Sequence, residues 1–268
     1  MKDITNSFLY HYTSFQTLEK ILKNKEIWLG NLRYMNDYKE MKYFFEGLKN
    51  SITEDFPEYV QKTEQLFDMQ LKRFEGKTAY AFCLSKRRDD AAQWDRYAKR
   101  GQGVCICFDA CALKNAIKDK AIIYPVFYAE SMDKHEIKAI IELYILESIV
   151  VNGFNSIDEV FENAWASSVA YKHPSFSAED EVRICSYPFA ADKYSPEELR
   201  YVSYDGGLRE YYPIKLNSDH ENDYAGTIKE IILGPCSGVD KNMFGRYIVS
   251  LGIKNGLFDV TESRCPLR

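Results

Sequence analysis

The chain has 268 residues, 46% of them hydrophobic, enough to build a full core as one domain spanning 1–268. A formal net charge of −5 supplies no drive for tight non-specific nucleic-acid binding, which draws on clustered Lys and Arg. The longest apolar stretch, Ile137 to Val151, is broken by Lys138, Glu142 and Glu147, so neither a bilayer span nor a membrane partner is expected.

In chain order, Leu9-Tyr10-His11-Tyr12 reads as a strand that ends where a helix begins. That helix runs from about Thr13 to Asn24, with Thr13 or Ser14 as N-cap and Leu18, Ile21 and Leu22 on one face. Ile27-Trp28-Leu29 reads as a short strand. Asp37 with Glu40 has capping-box spacing and opens a helix toward Leu48, and a second amphipathic helix covers Pro57 to Phe74. Thr78 to Leu84 and Gly103 to Phe108 read as buried strands flanking a short helix through Gln93 to Tyr97, capped by Asp89 or Asp90. Ile122 to Tyr128 is a further strand, and helices are expected over Asp133 to Val151 and Asp158 to Ala170. Glu181 to Tyr187 is strand-like, Ser195-Pro196-Glu197-Glu198 starts a helix, and Tyr211 to Leu216 and Ile228 to Leu233 are late strands. A last helix covers Val239 to Leu251. The interspersed pattern, without repeats or linkers, predicts an α+β fold: one domain with a central, largely antiparallel mixed sheet decorated by helices.

The seven cysteines are odd in number, and Met1-Lys2-Asp3-Ile4 leads into no apolar run. Reduced thiols and a cytoplasmic location are expected. Cys83, Cys105 and Cys107 lie in apolar strands without zinc-ligand spacing, so buried thiols are the reading and no metal is expected. Walker, dinucleotide, zincin and nucleophile-elbow motifs are all missing, and Gly101-Gln102-Gly103 reads as a turn.

Two groups of residues carry chemistry. His11, one of four histidines, sits on the opening strand ahead of the first helix and faces whatever cleft that strand borders. In a strand beginning near Glu179, a period of two puts Glu179, Glu181 and Arg183 on one face and Val182 and Ile184 on the other. Such a face is either a salt-bridged surface or the wall of a cleft, and Lys172-His173-Pro174-Ser175-Phe176 reads as a loop overhanging it. Trp94 and Tyr97, spaced as i and i+3, read as core aromatics or as a wall for a flat ligand.

The segments from Leu9 to Ser14, Ile27 to Leu29, Met35 to Asp37, Phe82 to Ser85 and Glu179 to Arg183, with Ile231 to Pro235, resemble a bacterial family catalogued as a domain of unknown function. Its relatives include abortive phage-resistance proteins of the AbiGi type. The opening Tyr10-His11-Tyr12-Thr13 before a helix is also similar to the start of DarT-like and other ADP-ribosyltransferase folds. That similarity implies an ADP-ribosyltransferase-like fold that consumes NAD as substrate. It implies His11 and Thr13 as ribose contacts and Glu181 or Glu179 as the carboxylate that stabilises an oxocarbenium-like state. Arg183 or Arg33 would hold the pyrophosphate. Tyr97, Tyr80 and Tyr34 compete as the nicotinamide-stacking ring, with Trp94 beside them.

The implied activity is that of an NAD-dependent ADP-ribosyltransferase or NAD glycohydrolase in phage defence or a toxin-like role. Its acceptor would be a protein or nucleic acid, with a phage or other partner protein as a further interactor. A non-catalytic nucleotide- or partner-binding module on the same fold is the alternative. A metal-dependent nuclease ranks last. Glu181 ranks above Glu179, because Val182 and Ile184 anchor it within a strand.

Overall fold

The computed structural model describes residues 7–34, 50, 53–54, 57, 68, 79–118, 120–128, 168–186, 198–204, 206–216, 224 and 226–267. The helices expected over 37–48, 57–74 and 133–151 and the helix start at 195 lie outside these residues, but for isolated positions. So does the one over 158–170, except at its last three residues.

β1 (Phe8–Thr13) alternates its burial between two apolar clusters: Leu9 enters one, and Tyr10 and Tyr12 enter the other. α1 (Phe15–Asn24) begins where the Ser14 hydroxyl accepts from Thr17 N, and it packs Leu18, Ile21 and Leu22 into the first cluster. Each such fully buried aliphatic side chain contributes roughly 1.5–3 kcal/mol of transfer free energy. Lys25, in the left-handed region, turns the chain into β2 (Glu26–Asn31).

β3 (Tyr80–Ser85) is followed by α2 (Ala91–Tyr97), whose cap Asp90 accepts from Ala92 N and Gln93 N. β4 (Val104–Asp109) runs directly into α3 (Ala110–Ile117), capped by the last residue of the strand itself. The sequence reading missed this helix, because Asp109 serves both elements. The single strand expected over 122–128 is two: β5 (Ala121–Pro125) and β6 (Phe127–Tyr128), with Val126 between. β7 (Tyr171–Lys172) pairs with β6, and a 3-10 turn over Pro174–Glu179 leads into β8 (Glu181–Ser186). β9 (Arg200–Tyr204), β10 (Gly207–Lys215), β11 (Ile228–Leu233), α4 (Lys241–Ser250) and β12 (Asp259–Glu262) complete the described chain.

The fold is mixed α/β, built on one ten-stranded sheet in the order β12-β11-β4-β1-β3-β2-β10-β9, with β8 and β5 branching from β3. All its ladders are antiparallel except β11 with β12. One face carries the larger cluster under α1, α3 and α4; on the other, Trp94 of α2 and its C-cap Ala98 cover Tyr12, Cys105 and Ile232. Gly103 has no room for a side chain, since a Cβ there would lie 2.1 Å from the Thr13 carbonyl oxygen.

The branching sets up the site. β8 runs along one side of β3 from Ala81 to Ser85. On the other side, β2 takes only Tyr80 and Ala81, and β1 takes only Ser85. Between them the sheet forks, and the edge of β3 at Phe82 and Cys83 opens into a cleft.

Candidate functional site

His11 stands at the fork, inside β1 rather than at its end, because the pairing of β1 with β4 continues to Thr13. Its imidazole stacks on Phe82, with centroids 4.1 Å apart, and donates Nδ1–H to the Cys83 carbonyl at 2.8 Å. A carbonyl only accepts, so Nδ1 carries the proton and Nε2 is the acceptor of the neutral ring. Burial pushes the ring pKa down to about 4, outweighing that hydrogen bond, so the imidazole is uncharged at neutral pH.

The carboxylates come from β8 and the turn before it. β8 lies between β3 and β5, so all six of its residues are buried and the charged side chains face the interior rather than solvent. Glu179 is not on the strand: it closes the 3-10 turn, and Asp180 then adopts φ 44° and ψ 52°. Asp tolerates this left-handed conformation, and the resulting bend brings Glu179 beside Glu181 by a route that strand periodicity does not describe. The Ser85 hydroxyl fixes the bend by donating to the Glu179 carbonyl at 2.6 Å.

Lys172 joins the two acids. Its side chain is 2% exposed, and Nζ lies 2.7 Å from Glu179 Oε2 and 3.1 Å from Glu181 Oε2. It also sits 4.7 Å from the Phe176 ring centroid. Arg183 donates Nε to Glu181 Oε1 at 2.8 Å and Nη2 to Oε2 at 3.2 Å, and its Nη1 reaches the Val169 carbonyl at 2.9 Å. Burial alone would raise the Glu181 pKa, but Arg183 and Lys172 overcome it and hold the carboxyl down at about 2. Glu179 has more exposed partners: the Tyr97 hydroxyl donates to Oε1 at 2.6 Å and Arg96 Nη1 at 3.1 Å. Burial, then the bond to Glu179, raises the Tyr97 pKa well above the usual phenol range, so it remains a donor. Burial and the neighbouring Glu181 likewise hold the Cys83 thiol protonated.

A cavity of about 670 Å³ runs through the fork; its lining includes His11, Thr13, Tyr97, Lys172, Glu179 and Glu181, and also Trp28 of β2, Tyr34 and Tyr211 of β10. Its volume is that of a small-molecule site. Of the residues singled out from sequence, the structure therefore gathers His11, Thr13, Tyr97, Glu179 and Glu181. It leaves others out. Trp94 is sealed in the core, edge-on to Tyr12 at 4.9 Å, with its indole N–H on Asp89 at 2.8 Å. Arg183 is wholly engaged behind Glu181 and does not line the cavity. Arg33 lies on the short 3-10 turn after β2, and its side chain is not among those described. Tyr80 packs in the core and donates to Glu210 at 2.9 Å, leaving Tyr97 and Tyr34 as the exposed rings of the cavity. Phe176 of the overhanging segment lines the cavity, but that segment is a 3-10 turn capped by His173.

Lys172 and Trp28 were not singled out. Lys172 looks like one surface lysine among many until β7 and the following turn fold it under both acids. Trp28 reads from sequence as a strand residue, and only the pairing of β2 with β10 sets it beside Tyr211.

No curated protein and no solved structure matches the chain. Residues 93–184, from α2 to within β8 and including Tyr97, Lys172, Glu179, Glu181 and Arg183, match the model of a family described as a protein of unknown function (DUF2971).

Proposed function

We propose that the cavity binds NAD and that the protein cleaves its nicotinamide–ribose bond, passing the ADP-ribosyl group to water or to a macromolecular acceptor, a protein or nucleic acid. The observation that carries this reading is the meeting of a neutral imidazole and two buried carboxylates in one cavity. His11 Nε2 accepts from a ribose hydroxyl. The C1′–N bond breaks heterolytically, nicotinamide leaves with the electron pair, and the carboxylate stabilises the oxocarbenium-like ribose. The acceptor hydroxyl then bonds to C1′ and passes its proton to the same carboxylate, which acts as general base.

Glu179 takes this role in preference to Glu181. Both oxygens of Glu181 are clamped by Arg183, whereas Glu179 is held on its cavity side by Tyr97 and Arg96, whose side chains reach solvent and move aside more readily. Glu181, with Arg183 and Lys172, positions Glu179. Resemblance to AbiGi-type proteins supports a cytoplasmic, toxin-like role in phage defence.

One observation favours a binding module instead: every oxygen of Glu179 and Glu181 already has a protein donor. Incubation with NAD, followed by nicotinamide measurement and mass spectrometry for ADP-ribose adducts, tests both readings. Nicotinamide release that is lost in Glu179→Gln is expected. NAD binding without release would leave the binding module.

A further inference from the structure

We infer that the part of the cavity lined by β2, β10 and α1 is a purine-nucleotide subsite in which Trp28 and Tyr211 stack the base and Lys20 meets the phosphate; this rests on the NAD reading and deepens it. The antiparallel register of β2 and β10 sets Trp28 opposite Pro213 and Tyr211 opposite Gly30, so Trp28 and Tyr211 are diagonal neighbours across the ladder. Their ring centroids are 5.8 Å apart at 43°, and both rings line the cavity. The indole is fixed in place: Trp28 Nε1–H donates to Glu26 Oε2 at 3.0 Å, and Glu26, buried, is paired with Lys215 at 2.8 Å. With its one polar atom satisfied, Trp28 has only its π-faces to give a ligand.

Lys20 extends from α1 to place Nζ 5.6 Å from the Trp28 ring centroid, and among the described residues it has no ion-pair partner. An ammonium already over the ring repels a cationic ligand and attracts an anionic one. A flat π-system bearing negative charge satisfies both rings and the ammonium, which is the chemistry of a nucleotide. The indole offers its widest stacking overlap to a fused two-ring base, hence a purine. The subsite lies on β2, β10 and α1, whereas His11 and the acids lie on β1, β8 and the turn before β8. Binding of the base and cleavage of the glycosidic bond therefore use different side chains.

The test is titration of the whole chain with ADP, which lacks nicotinamide, followed by calorimetry and tryptophan fluorescence, beside a nicotinamide-release assay with NAD. ADP is expected to bind and quench fluorescence. Trp28→Ala should weaken ADP roughly ten- to a hundredfold, the range for loss of one stacked base. Trp28→Phe should stay within a few-fold of the parent. Lys20→Glu, at a half-buried position of α1, should weaken ADP and reduce or reverse the salt dependence of its binding, which keeps the proposal testable if Trp28→Ala does not fold. UDP should bind less tightly than ADP. ADP binding that depends on Trp28, without nicotinamide release, upholds the subsite and removes the cleavage reading. Nicotinamide release without ADP binding overturns the subsite and keeps the cleavage reading. Unchanged ADP affinity in both Trp28→Ala and Lys20→Glu overturns the subsite, as does tighter binding of a single-stranded oligoadenylate than of ADP.

Discussion

Lys172 Nζ lies 2.7 Å from Glu179 Oε2, a buried ion pair spanning seven residues of chain and a 3-10 turn. Deleting one member of such a pair leaves the other charge in a low-dielectric site without its counter-ion. Lys172→Met should therefore destabilise the fold by about 3–5 kcal/mol, read from urea unfolding at neutral pH. Lys172→Arg should recover much of this loss. A Lys172→Met midpoint equal to the parent's would show that the acids do not depend on this ammonium.

The two acids should respond differently to amide substitution. Glu179→Gln keeps the shape and loses the charge that faces the cavity, so nicotinamide release should fall by roughly two to three orders of magnitude in a protein with unchanged circular dichroism. Glu181→Gln instead leaves the Arg183 guanidinium buried without its carboxylate, and the loss should appear first as stability, about 3 kcal/mol or more. Equal stability of the two variants, with turnover lost only in Glu181→Gln, would reverse their roles.

Acid should lower the stability over two successive pH intervals. The His11 pKa falls from 6.5 unfolded to about 4 folded, so as pH drops through that interval the unfolded chain takes up the proton more readily and stability declines. The Glu181 pKa falls from 4.5 to about 2, so the stability it contributes is fully present above pH 4.5 and is lost as pH falls toward 2. Urea midpoints measured between pH 7 and pH 4 should slope downward in the parent and flatten in His11→Gln. An identical slope in both would place the titration elsewhere.

Gly103→Ala should be costly. The new Cβ would lie 2.1 Å from the Thr13 carbonyl oxygen and 3.1 Å from that of Ala98, both backbone atoms that cannot rotate away. A loss of roughly 3 kcal/mol, the upper end of overpacking, is expected in thermal or urea unfolding. A loss within a few tenths would mean that β1 and β4 separate easily at this point.

Local chemistry made much of the fold legible. Ser14 and Asp90 cap the helices that their positions suggested, and the apolar runs of β1, β3, β4, β8 and β11 are strands within a residue or two. β9 and β12 were missed because Arg200–Tyr204 and Asp259–Glu262 carry little apolar alternation; their partners β10 and β11 hold them. The candidate site was legible at His11, Glu179 and Glu181, and illegible where topology decides. Periodicity did not reveal that β8 is interior, which is what seals Arg183 behind Glu181. Nor did it show that Trp94 packs edge-on against Tyr12 on the face of the sheet that α2 covers.

The fork in the sheet has a mechanical consequence. β1 is joined to β3 by one register pair, Tyr10↔Ser85, and β2 by two, Gly30↔Ala81 and Asn31↔Tyr80. His11 and Trp28 thus ride on separate wings of the sheet, tied to a common spine near opposite ends of β3. Any molecule long enough to touch both side chains spans the wings like a strut. Its grip depends on the span between them, so stiffness at β3 sets the length of ligand the molecule accepts.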